Sequence, residues 1–369
     1  MIYLDNAATT FVDDDVLKDF NYACKNYIGN PNSSYRLGKL AKARIDDASY
    51  DIARILNVKP TEIVYTSSAT EANNLAIKGV CFSNKGKHII TTSLEHSSVI
   101  APLNRLCQMG YKVSLAKLNS DGSVDIEYLK SIITEDTVLV SVVGVDGELW
   151  IRQNIEEIAI LLKNFPNCYF HVDATQMIGK VKADFSNVDL ISFSAHKFFG
   201  IKGNGWLIKK DNVKIKPLLD GGKSTTRVRS GTPALELIVS LQKALSLAYT
   251  DFNKKQKYVN ELSSEIKEFL NSYKDIKLNN TSKSIDNIIN FSVKNSSTLI
   301  ELLADCGVYV SSKSACSLSD TISRSIVALY NDEKRANTSI RISITYKTTR
   351  KEIKMFKKIF DTCYAKLGE

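Results

Sequence analysis

The chain has 369 residues, 44% hydrophobic and 24% charged, with 17 glycines, 6 prolines and a formal charge of +9. That composition excludes a disordered, collagenous or disulfide-scaffold chain, and the length leaves room for about two domains. The basic residues are spread along the chain with no recognition motif beside them, so no nucleic-acid partner is expected; a net positive field suits an anionic cofactor or an acidic protein partner.

The opening segment MIYLDNAATTFVDDD has neither a basic n-region nor an apolar core, and no stretch approaches 18 uncharged apolar residues. This predicts a cytoplasmic protein with no membrane anchor. From about residue 40 to 210, helical stretches alternate with short apolar runs: IVYT (63–66), HIITTS (88–93), VLVSVV (138–143), YFHVDA (169–174), LISFSA (190–195) and WLIK (206–209). The rhythm predicts an α/β unit with a mostly parallel sheet, and the lack of polar alternation predicts strands covered by helices on both faces. After residue 233, ALELIVSLQKALSLAYTDF, continuing through KKQKYVNELSSEIKEFLNSY, reads as a long helical bridge. NIINFSV (287–293), GVYVSS (307–312) and SIRISI (339–344) then predict strands of a smaller α+β unit. In KTTRKEIKMFKKIF (347–360), Ile353, Phe356 and Phe360 share one helical face and Lys351, Lys354 and Lys358 another, as in a solvated amphipathic helix. The seven cysteines (Cys24, Cys81, Cys107, Cys168, Cys306, Cys316 and Cys363) are odd in number and lack a CxxC pair. They predict no disulfide framework and no metal site, and mostly reduced, buried thiols.

Three segments carry candidate chemistry. In IVYTSSATEANNLAIKG (63–79) a strand runs through a small-residue turn into a helix, with Ser68 and Glu71 at capping-box spacing and Thr70 adding a hydroxyl. Such a helix start directs N–H groups at a phosphate, although alone it is an ordinary capped helix. YFHVDATQ (169–176) ends an apolar strand in Asp173, with Gln176 just beyond, where ligands bind in open α/β sheets. LISFSAHKFFGIKGNG (190–205) ends a strand in Ser194, His196 and Lys197, and a lysine so placed is desolvated enough to form a Schiff base. GIKGNG is no phosphate-binding P-loop, because it lacks the GxxxxGK[ST] pattern. A phosphate-type helix start, a strand-end acid and a strand-end lysine are together the parts that hold pyridoxal 5′-phosphate.

The chain resembles the class V aminotransferase group of fold-type I pyridoxal-phosphate enzymes, and within it the NifS/IscS-like cysteine desulfurases. The matching segments are YLDNAATT (3–10), GNP (29–31), ATEANNLAIKG (69–79), GKHIIT (86–91), EH (95–96), HVDATQ (171–176), SFSAHK (192–197), RSGT (229–232), SSKSACS (311–317) and SIRIS (339–343). The resemblance implies a large cofactor-binding domain over 15–249 with a mostly parallel, seven-stranded-type sheet. It implies a smaller α+β domain from 1–14 and 250–369, carrying the cysteine loop and the substrate arginine. By resemblance, Lys197 is the Schiff-base lysine, Asp173 pairs with the pyridine nitrogen, His96 stacks on the cofactor ring and Gln176 bonds its phenolic oxygen. Ala69, Thr70, Ser194 and His196 match the phosphate-binding positions, and Thr232 one that reaches across from a second subunit, which implies a homodimer. Arg341 matches the arginine that receives the substrate carboxylate, a task suited to a planar bidentate donor. Cys316 matches the thiol that takes sulfur from L-cysteine as a persulfide, releasing L-alanine, and passes it to acceptor thiols of a scaffold or carrier protein. The 24 residues between Cys316 and Arg341 resemble the longer loop of desulfurases that serve protein acceptors.

The chain departs from the family pattern in several places. The family's VNNE is Val145-Asp146-Gly147-Glu148, so Gly147 has no side chain to donate, and Asp146 is expected to add negative charge near a carboxylate substrate. Ser68, Tyr35, Lys313, GIKG (200–203) and GGKSTT (221–226) are further replacements, expected to gather around the same pocket. Besides the desulfurase, a related lyase or aminotransferase acting on another amino acid or on selenocysteine, and a poorly active scaffold homologue, stay open at this point.

Overall fold

The computed structural model describes residues 1–222, 227–312 and 322–367. Its strands are β1 (Ile2–Tyr3), β2 (Ile63–Thr66), β3 (His88–Thr91), β4 (Lys112–Leu115), β5 (Thr137–Val143), β6 (Tyr169–Asp173), β7 (Leu190–Ser194), β8 (Gly205–Lys209), β9 (Lys277–Leu278), β10 (Ile288–Ser292), β11 (Val308–Tyr309) and β12 (Ser339–Ser343). The α-helices are α1 (Asp14–Asn26), α2 (Arg36–Leu56), α3 (Ala69–Ser83), α4 (Ser97–Gln108), α5 (Ile126–Ile132), α6 (Ile155–Leu162), α7 (Leu235–Tyr249), α8 (Phe252–Asn271), α9 (Ser296–Asp305), α10 (Arg324–Tyr330), α11 (Glu333–Asn337) and α12 (Arg350–Ala365).

Seven strands form one sheet in the order β2-β8-β7-β6-β5-β3-β4. Only β8 runs antiparallel to its neighbours. The carboxyl ends of β2, β3, β5, β6 and β7 therefore share one edge with the amino end of β8, and that edge is where the topology delivers chemistry. Both sheet faces are covered because neighbouring strand residues point opposite ways. Ile63, Ile90, Val140, Ile191 and Ile208 join one buried cluster, with Ile155, Ile158, Leu241 and Leu245 of α6 and α7. Val64, Ile89, Leu139, Leu190 and Leu207 join another, with Leu75 and Val80 of α3 and Val99 and Leu103 of α4.

A third cluster unites Ile2 and Leu4 with Val259, Ile266, Ile289, Phe291, Ile340, Ile342, Phe356 and Phe360. The amino terminus enters it because β1 pairs in parallel with β11, while β12, β10 and β9 form an antiparallel sheet. Ile353, Phe356 and Phe360 of α12 are buried and Lys351, Lys354 and Lys358 exposed, as the pattern predicts.

Other expectations are corrected. The helical bridge is two helices, because Asp251 takes a left-handed φ of 53° between α7 and α8, a conformation aspartate tolerates better than most residues. GVYVSS supplies only Val308–Tyr309 as strand, and the short β1, β9 and polar edge strand β4 carried no apolar signal. Of the six described cysteines, Cys24, Cys107 and Cys306 are exposed and only Cys81, Cys168 and Cys363 are buried. No helix among the described residues is long and apolar enough to cross a membrane.

Candidate active site

At the β2 end, the Ser68 side chain accepts from the Glu71 N–H at 3.3 Å and caps α3. The reciprocal capping-box bond shifts by one residue, since the Ser67 N–H donates to Glu71 at 2.7 Å. Arg229 from the RSGT segment pairs with Glu71 at 2.9 Å. Burial pushes the Glu71 carboxyl up, but Arg229 and the Ser67 N–H outweigh it and hold the group below its ordinary value. The Ala69 and Thr70 amides have no intrahelical acceptor, as in any first turn. Gly205 makes this corner possible: a Cβ there would meet Ser68 main-chain atoms at 2.6 and 2.8 Å.

At the β6 end, Asp173 is 3% exposed, and a carboxylate so buried needs donors. Asn73 of α3 donates to it at 2.8 Å, and the Thr175 N–H at 3.0 Å. Asn73 also donates to the Ser98 hydroxyl at 2.8 Å, which meets His96 Nδ1 at 2.8 Å. His96 caps α4 through the same nitrogen, accepting from the Ser98 N–H. One chain of polar contacts thus links His96 to Asp173; Asn73 was marked only by its place in the matching segment 69–79, and Ser98 carried no signal beyond its place in a helical stretch. Beneath Asp173, His171 sits between Ser141 and Ser192 and is pushed down to about 4 by burial, which keeps it neutral. Glu95 is buried and pushed up to about 8 by burial, with Asp173 and Asp146 adding to the rise. One of its oxygens accepts from Thr92 and the Val143 N–H while the other is without a partner.

At the β7 end, Lys197 donates to the carbonyls of Ala7 and Ala8 at 2.8 and 2.7 Å. Gln176 donates to the same Ala7 carbonyl at 3.0 Å. The YLDNAATT segment is thereby a wall of the site, and it is also strapped to the lysine turn: Thr10 N–H donates to the His196 carbonyl and Phe199 N–H to the Thr10 hydroxyl. Burial pushes His196 down to about 4, with Lys197, Lys202 and Lys180 adding, so it is a neutral hydrogen-bonding group beside Thr9.

Arg341 of β12 closes the site from the second sheet. It is 1% exposed, donates to the Gly147 carbonyl at 2.8 Å and pairs with Asp5 at 2.8 Å, while its Nε has no partner.

Ala69, Thr70, His96, Asp173, Gln176, Ser194, His196, Lys197 and Arg341 all line one cavity, together with Ala7, Ala8, Ser68, Ser98, Val143, Val145, Gly147 and Thr175. Thr232 is exposed and does not line it. Cys316 and Lys313 lie outside the described residues, as do positions 223–226 of GGKSTT.

The aminotransferase class-V family profile matches residues 2–356. The chain belongs to the class V aminotransferase family. A NifS/IcsS protein homolog of Lactobacillus delbrueckii subsp. bulgaricus is 35% identical over 99% of this chain and 97% of its own length. The cysteine desulfurase IscS of Rickettsia bellii is 38% identical over 95% of this chain and 88% of its own. A solved NifS-like protein superposes with a TM-score of 0.92 at 33% identity, covering 99% of both chains.

Against the class V pattern, the expected clustering of replacements is corrected. Ser68 and Gly147 line the cavity, whereas Tyr35 and residues 200–203 do not. Asp146 does not face it either. Its carboxylate turns inward and accepts from the N–H groups of Glu148, Leu149 and Ile151 and from the Ser325 hydroxyl. Glu148 accepts from the Ser323 hydroxyl and, at 3.4 Å, from the Ser325 N–H. Burial pushes both carboxyls above their ordinary values against these donors. The pair pins the segment behind Gly147 to the start of α10, and neither residue lines the cavity.

Proposed function

We propose that the protein is a pyridoxal-phosphate-dependent cysteine desulfurase that converts L-cysteine to L-alanine and carries the sulfur as a persulfide on Cys316. The observation that carries this reading is the single cavity in which Lys197, Asp173 and Arg341 meet across two sheets. The donor set fits the cofactor. The α3 amino end, Thr70, Ser194 and His196 suit its phosphate, Asp173 suits a protonated pyridine nitrogen, Lys197 its aldehyde and Gln176 its phenolic oxygen. Gly205 leaves room for the backbone approach that this cradle needs.

When bound, the cofactor supplies a sink for the electrons released at the substrate α-carbon. The chain's own residues do the rest. Arg341 takes the substrate carboxylate through its planar fork, a role that trades the Asp5 contact for the ligand. His96, with Nδ1 engaged by Ser98, has Nε2 as the nitrogen for proton transfer beside the cofactor ring. The Cys316 thiolate attacks the sulfur of L-cysteine. One S–S bond forms, the Cβ–S bond breaks, and protonation at Cβ gives L-alanine. Acceptor thiols on a scaffold or carrier protein then collect the sulfur. The working unit is a cytoplasmic homodimer with Thr232 reaching the partner's site. Each protomer divides into a large unit (15–249) and a small unit (1–14 and 250–369), a division supported by the buried cluster drawn wholly from the small unit, while Ala7 and Ile288 join the core of the large one.

Cofactor-loaded protein given L-cysteine and a reducing thiol is expected to yield alanine and sulfide in equal amounts, and Lys197→Ala neither. Turnover of another amino acid with none of L-cysteine contradicts the assignment.

A further inference from the structure

Lys180 lies outside the roles described so far, yet it is 7% exposed, which is rare for a lysine without a carboxylate among its bonds. Its Nζ donates to the Lys197 main-chain carbonyl at 3.0 Å and to Gln176 Oε1 at 3.3 Å. Gln176 Nε2 in turn donates to the Ala7 carbonyl at 3.0 Å, which accepts from Lys197 Nζ at 2.8 Å. The four groups form a closed ring of hydrogen bonds that joins the two lysines. On its other side Lys180 Nζ lies 5.1 Å from the ring of Trp150, a fully buried residue held at a left-handed φ of 52°. A bulky residue in that conformation is strained and persists only where its surroundings fix it.

We propose that Lys180 is a positioning residue of the active site: it fixes the Gln176 amide so that Nε2 faces inward, and its charge sets the pH at which the Lys197 nitrogen gains a proton. The proposal rests on the functional reading of Lys197 given above. Two ammonium groups joined by one ring of hydrogen bonds repel, so a proton on either nitrogen opposes a proton on the other. Burial, with Lys197 adding, pushes the Lys180 amine down to about 7. The other charged or titratable groups near Lys180 are His196 on the lysine turn, and Arg152, Lys182, Lys283 and Asp286, which line a shallow cleft on its far side.

Lys180→Met removes the charge and both bonds, Lys180→Gln removes the charge but keeps a donor, and Lys180→Arg keeps the charge. Two readouts apply: the pH midpoint of the bound cofactor's absorbance without substrate, and the pH profile of Lys197 labelling by an amine-reactive reagent in cofactor-free protein, followed by peptide mass spectrometry. The Met and Gln variants are expected to raise both midpoints by about one unit, with Arg, whose charge does not titrate, at or below the wild type. Unchanged midpoints in a folded Met or Gln variant overturn the proposal, and the Gln variant decides the matter if the Met variant does not fold. The labelling readout needs no cofactor. Protein that never binds pyridoxal phosphate would therefore defeat the functional reading while the Lys180 test still gives an answer.

Discussion

Arg341 is held on two sides: Asp5 and the Gly147 carbonyl fix two of its nitrogens, which sets the plane of its guanidinium. Its neighbour Gly147 has nothing within 4 Å of a side-chain position, which leaves the cavity wall open there. Glu95, behind His96, gives a pH signature. With its pKa pushed up to about 8 by burial, the folded state keeps a proton that the unfolded chain gives up near the ordinary value. Its contribution to stability is therefore fully present below the unfolded pKa and is lost as pH rises through about 8. Glu95→Gln holds no such proton, so between pH 5 and pH 9 the variant is expected to lose less stability than the wild type in urea titrations. Equal losses would show that Glu95 ionises without penalty. At this scale the sequence marked the residues with unusual chemistry. It hid the roles of Asn73, Ser98 and Lys180, because an amide, a hydroxyl or a lysine within a helical or turn segment acquires meaning only when another strand end arrives beside it.

At the scale of elements, the site depends on the turn from β2 into α3 lying against β8. Gly205→Ala places a Cβ 2.6 Å from the Ser68 carbonyl carbon and 2.8 Å from the Phe193 carbonyl oxygen, both backbone atoms that give way poorly. The overpacking costs about 1–3 kcal/mol, and because it displaces the phosphate corner, cofactor affinity is expected to fall about tenfold or more. An absorbance titration with pyridoxal phosphate measures it, and unchanged affinity would mean that the corner does not hold the phosphate. The long buried strands were legible because apolar runs with both faces covered have no other explanation. The two-residue strands β1 and β9 were not, since each is too short to carry a pattern and is made by its partner, β11 for β1 and β10 for β9. The break between α7 and α8 was missed because Asp251 looks like an ordinary exposed helix residue.

Across the whole molecule, the amino terminus ties the third buried cluster to the lysine turn. Ile2 and Leu4 belong to that cluster, Asp5 holds Arg341, and Ala7, Ala8, Thr9 and Thr10 grip the lysine turn. The order of motifs made the family legible, but not this geometry, because a match of YLDNAATT says that a segment matters without saying what it touches. The charge of +9 did not decide the function; the cavity is instead organised by a few buried groups, Arg341 paired with Asp5 and Asp173 held by the neutral donors Asn73 and Thr175. Six other cysteines accompany Cys316, and three of them are exposed thiols able to scavenge sulfur. The decisive measurement is therefore peptide mass spectrometry of cofactor-loaded protein after one turnover with L-cysteine, without reductant, with alanine counted in parallel. The account predicts one added sulfur atom on Cys316 per alanine released, with both products absent in Lys197→Ala. Sulfur found instead on Cys24, Cys107 or Cys306, with alanine release undiminished in Cys316→Ala, would contradict it.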